Sequence, residues 1–72
     1  MKHSDILVGE TYVNRGAGKT RRTVLAIGDE HRPKVWYSPN PRPQEPGVKY
    51  KQGDYEGTLY LSSFAQWAGR KA

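Results

Sequence analysis

Apolar and polar residues alternate along most of this chain with the two-residue period of a β-strand, in short runs separated by glycine and proline. "ETYVN", residues 10 to 14, is the first such run and ends in "RGAG", a glycine-rich turn. A hairpin follows. The returning strand "RTVLAIG", residues 22 to 28, puts Thr23, Leu25 and Ile27 on one face and Arg22, Val24 and Ala26 on the other, so both faces are expected to be partly covered. "DEHRP" turns the chain, and "KVWYS" reads as a third strand with Val35 and Tyr37 opposite Trp36. Further on, "GVKYKQGDYEGTLYL" reads as two more strands joined through "QGDYEG", where Gly53 and Gly57 can supply the positive φ that a tight or bulged turn demands.

Between the third and fourth strands lies "SPNPRPQEPG", residues 38 to 47, with four of the five prolines. Proline lacks the N–H that a ladder or a helix interior needs, so this segment is expected to be an extended loop. The last residues, "SSFAQWAGRKA", change period. Leu61, Phe64, Ala65 and Ala68 share one face of a helix with Trp67 at its border, Ser63 and Gln66 fit a capping box, and Gly69 fits the residue just past a helix end. The expected fold is mainly β: about five antiparallel strands and a short C-terminal helix in one domain spanning residues 1 to 72.

The stretches "VGETYVNR", "VLAI" and "LYLSSFAQWA" sharpen this expectation. Together they resemble small SH3-like domains of prophage-associated and bacterial proteins, which open with Val-Gly-x-x-Tyr and close on a strand followed by a Phe-containing turn. The resemblance covers most of the chain apart from the proline loop, which departs from it. It implies a small SH3-like barrel in a phage or bacterial setting and brings no active site with it.

Composition limits what such a fold can bury. Leu, Ile, Val and Phe number twelve of 72 residues, a share low enough to suggest disorder when combined with net charge. Five tyrosines and two tryptophans reverse that inference, because aromatic side chains bury the most surface per residue. Cysteine is absent, which excludes disulfides and thiolate metal sites and suits a reducing cytoplasm. The longest aliphatic run is Ile6 to Val8, too short for a membrane span or a signal-peptide core, so a cytoplasmic location is expected.

The net charge of +5 is local. Residues 14 to 24 carry +4 through Arg15, Lys19, Arg21 and Arg22, residues 25 to 57 balance, and Arg70 and Lys71 add +2 near the C-terminus. The letters "GAGKT" within the basic stretch invite comparison with a phosphate-binding loop. The motif's opening glycine would fall on Val13, however, and "TRRTVLAIG" is β-branched where the motif requires a helix, so no nucleotide site is expected. The stretch reads instead as a hairpin tip whose Arg15, Lys19, Arg21 and Arg22 can contact a nucleic-acid backbone, with Gly16 and Gly18 allowing close approach. A merely solubilising basic surface is the plain alternative.

Trp36 and Tyr37, with Tyr50 as a further option, are the candidates for base stacking or partner contact, with core packing as the bland alternative for the aromatics. A second class of function uses the proline loop: prolines at 39, 41, 43 and 46 favour a polyproline conformation that a host protein partner could grip, anchored beside Tyr37. Catalysis has little to draw on. His31 beside Asp29 and Glu30 is one turn without a second ligand cluster, and Ser38, Ser62 and Ser63 have no recognisable triad context. The expected protein is therefore a non-enzymatic binding module with no cofactor and no metal, monomeric or weakly dimeric.

Overall fold

The computed structural model describes residues 1–33 and 45–72. Among the described residues five strands form one antiparallel sheet: β1 (Thr11–Asn14), β2 (Arg21–Gly28), β3 (Gly47–Gln52), β4 (Tyr55–Tyr60) and β5 (Ala68–Lys71). A seven-residue helix, α1 (Leu61–Trp67), joins β4 to β5, and short 3-10 turns lie at His3–Asp5 and Asp29–His31. The spatial order is β4-β3-β2-β1-β5, so the first four strands meander and the last returns beside the first. The mainly-β reading with a short helix near the C-terminus is correct, but the chain goes on from that helix into a strand. The expected strand "KVWYS" lies outside the described residues, as do residues 38–44 of the proline segment; Gly47, expected at the end of that loop, begins β3.

Strand faces follow from the registers. Tyr12 pairs with Arg22 and with Lys71, and Val24 with Tyr50, so these side chains belong to the inner face that α1 covers. Tyr12, Val24, Val48 and Phe64 are fully buried there, with Ile6, Tyr50, Ala65 and Ala68 completing the core. The Phe64 ring meets Tyr12 edge-on at 5.8 Å, Tyr50 at 5.9 Å and, within the helix, Trp67 at 5.3 Å, so one residue of α1 ties the helix to an aromatic ring on each of two strands. Tyr12 is also satisfied at its polar end: its hydroxyl donates to the Asp5 carbonyl at 2.6 Å and accepts from the Leu7 N–H at 2.8 Å, which fixes the N-terminal segment against β1.

The simple alternation expected for β2 breaks at one residue. Val24 pairs with Tyr50 but Ala26 pairs with Lys49, leaving Leu25 as the extra residue of a bulge. Its effect is to send both Val24 and Ile27 inward, three positions apart, while Leu25 stays exposed. The β3–β4 hairpin turns on Gly53 and Asp54, and Gly53 has the positive φ, +60°, that a type II′ turn asks of its first central residue. Gly57 plays a different part from the one its turn-like context suggests. It lies within β4 opposite Tyr50, and a Cβ there would come within 2.8 Å of both the Tyr50 hydroxyl and the Tyr55 ring.

The ends of α1 are satisfied from elsewhere in the chain. Tyr60 is its N-cap residue and makes no side-chain cap bond, so the Ser63–Gln66 capping box does not form; Ser63 is inside the helix, and the Glu45 carboxylate accepts from the Ser62 N–H instead. At the other end the Phe64 carbonyl accepts from Ala68 N–H, the Gln66 carbonyl from Arg15 Nε and the Trp67 carbonyl from Arg15 N–H. Gly69 stands just past the C-cap Ala68, as expected, and is also the unpaired residue between Ala68 and Arg70 in β5. A Cβ on it would lie 2.8 Å from Arg15 Cα, so glycine is required there by the close approach of two backbones.

Candidate nucleic-acid interface

The four cations of the basic stretch are divided by the fold. Asn14 Oδ1 accepts from the Thr20 N–H at 3.1 Å and closes the β1–β2 loop, while Gly16 takes φ +73° in the turn. Thr20 is followed by β2, so no helix N-terminus stands behind "GAGKT". Lys19 is exposed at this tip. Arg15, also exposed, is engaged with the last carbonyls of α1, where a cation complements the helix dipole. Arg21 and Arg22 are consecutive in β2 and so point to opposite faces.

Arg21 belongs to the outer face. It pairs with Val13, which pairs on its other side with Arg70, so one row across three strands reads Arg21–Val13–Arg70. Val13 is only 5% exposed although it is not part of the core cluster, as expected of an apolar residue flanked by two arginine stems. The next row runs Thr11–Thr23–Lys51, with the two threonine hydroxyls 2.7 Å apart. Lys49 follows on β3 and meets Glu56 at 3.5 Å. Among the described residues Arg21, Lys51 and Arg70 enter no ion pair, and all three are exposed. The outer face thus carries Arg21, Arg70, Lys51 and Lys49 with the small hydroxyl side chains of Thr11 and Thr23 among them and one carboxylate, Glu56.

Arg22 belongs to the inner face, at the end of the sheet beyond the core. Its guanidinium carbon stands 4.6 Å from the Tyr50 ring centre and 4.4 Å from that of Trp67, and its Nε donates to Gln52 Oε1 at 2.9 Å. Two aromatic rings and one hydrogen bond therefore fix the plane of this cation. Tyr55, cross-strand from Gln52, is 62% exposed and lies 6.4 Å from Tyr50.

Comparison with known proteins returns no match. No family model, curated protein or solved structure is significantly similar to the chain.

Of the residues expected to contact nucleic acid, then, Lys19 and Arg21 remain exposed, Arg15 is tied to α1, and Arg22 is held between rings on the other side of the sheet. Trp36 and Tyr37, the expected stacking pair, lie outside the described residues. Sequence reasoning missed Arg70 and Lys51, which reach Arg21 only through the β1–β5 and β2–β3 pairings. The Asp29–Glu30–His31 segment forms a 3-10 turn in which His31 Nε2 lies 3.4 Å from Glu30 Oε1, while Asp29 Oδ1 pairs with Arg32 at 3.2 Å. Among the described residues no group of three acidic or histidine side chains converges as a metal site would require, and no helix is long and apolar enough to cross a membrane.

Proposed function

We propose that this chain is a non-enzymatic module that holds the phosphate backbone of nucleic acid against the outer face of its sheet. The row Arg21–Val13–Arg70 carries the reading: two exposed arginines without acidic partners among the described residues, on strands two spacings or about 10 Å apart. Lys51 extends the positive surface along the sheet, and Glu56, its cross-strand neighbour on β4, pairs its carboxylate with Lys49. Phosphate contacts of this kind position a nucleic acid without reading its bases. No aromatic residue shares these rows, which favours duplex over an unstacked strand. The return of β5 beside β1 after a helical segment supports an SH3-like arrangement for the module.

The test is a fluorescence-anisotropy titration of a labelled duplex across salt concentrations, beside a variant carrying Arg21→Ala, Lys51→Ala and Arg70→Ala. Three engaged phosphates give a slope of log K against log salt of about −3, and the triple variant should flatten it. Binding that ignores salt, or that survives the triple substitution unchanged, rejects the outer face as the interface.

A further inference from the structure

The inner end of the sheet has features that a purely structural arginine does not need. Arg22 carries five N–H donors in a planar fork, and Gln52 takes the one on Nε. Tyr50 and Trp67 lie against the guanidinium, and the hydrogen bond to Gln52 uses only one of its five donors. Among the described residues none of the other donors meets an acceptor and no carboxylate pairs with the charge, yet Arg22 remains partly exposed. Such a cation has its orientation fixed before any ligand arrives, and a planar fork suits the two oxygens of a phosphate.

The neighbouring side chain suggests what accompanies that phosphate. Tyr55 is the most exposed of the chain's large hydrophobic residues among those described, at 62%, but it is not loose: its ring leans on Tyr50, and Gly57 provides the notch that lets Tyr50 and Tyr55 meet. An exposed ring held from one side is a stacking platform for a base. We propose that Tyr55 and Arg22 form a seat for one unpaired nucleotide, with the base on Tyr55 and a phosphate on the Arg22 fork. The proposal rests on nucleic acid being the partner and assigns single-stranded nucleic acid to the inner end, whereas duplex belongs to the outer face.

The experiment uses the whole chain and two fluorescein-labelled probes, an eight-residue oligothymidylate and a duplex. Tyr55→Ala removes an exposed side chain and should fold normally; Arg22→Lys keeps the charge but loses the fork. Tyr55→Ala should weaken oligothymidylate binding about tenfold, the scale of one lost base stack, and leave duplex binding unchanged. Arg22→Lys should weaken the oligothymidylate further than it weakens the duplex. In a Trp36→Phe background, the oligothymidylate should also change the emission of Trp67, which touches the Arg22 slot. Equal oligothymidylate affinity for wild type and Tyr55→Ala, or duplex binding with no response to the single strand, overturns the seat. If oligothymidylate binds and depends on Tyr55 while duplex does not bind at all, the seat stands and the outer-face reading falls.

Discussion

The outer face and the inner end of this sheet carry the same residue type one position apart and treat it in opposite ways. Arg21 lies in an exposed row with Arg70, beside the buried Val13 and without an ion partner among the described residues. Arg22 lies between Tyr50 and Trp67 with its Nε committed to Gln52. The first stands open to solvent, where salt screens its charge; the second has its side chain held by two rings and a hydrogen bond. The difference shows that local basic character is not one property. The same +1 charge stands open on one face and is held in a fixed orientation on the other, and the period of a β-strand is enough to separate the two settings.

Substitutions can break this contrast in graded steps. Phe64→Ala removes the ring under the inner end and leaves the outer rows in place; a loss of about 3–5 kcal/mol is expected, a large share of what so small a domain can have, and urea unfolding monitored by circular dichroism would measure it. Gly57→Ala fills the notch between Tyr50 and Tyr55 and should cost about 1–3 kcal/mol by overpacking, with a changed near-ultraviolet spectrum because the tyrosines must shift. Arg22→Met keeps the stem but removes the cation between the rings, and the same unfolding assay should report a loss of about 1–2 kcal/mol. Arg21→Met should change stability by less than about 0.5 kcal/mol while lowering the salt slope of duplex binding by about one. Equal stability losses at positions 21 and 22 would erase the distinction.

How much of this was legible in the sequence depends on whether the cause was local. The Gly53 turn and the Phe64–Ala65 face of α1 are written in neighbouring residues, and each appears where expected. β5 was not legible: "AGRK" is four residues long with one apolar side chain, so its strand character comes from pairing with β1. The Leu25 bulge likewise reverses a face assignment that strict alternation requires, because register is decided by the facing strand. Ser63 and Gln66 had the letters of a capping box, but the helix is capped three residues earlier, at Tyr60, and its Ser62 N–H is met by Glu45. For the candidate site, the basic tip was visible as a run of charge. Its division between two faces was implicit in the two-residue period, whereas the pairing of Arg21 with Arg70 through Val13 required knowing that the last strand returns beside the first.

The manner in which α1 is finished bears on how the chain reaches its native state. A helix of seven residues cannot persist alone in water, and this one depends on distant backbone and side-chain partners at both ends: Glu45 at its start, and Arg15, 51 positions before Gln66, at its finish. Helix formation must therefore wait until the first strand and the last have come together, which makes docking of the two ends of the chain a late and nearly all-or-none step. The amide protons of α1 should then exchange with deuterated solvent only through global opening, at the rate of the β1–β2 hairpin and not faster, so that this short helix serves as a reporter of whether the whole domain is folded.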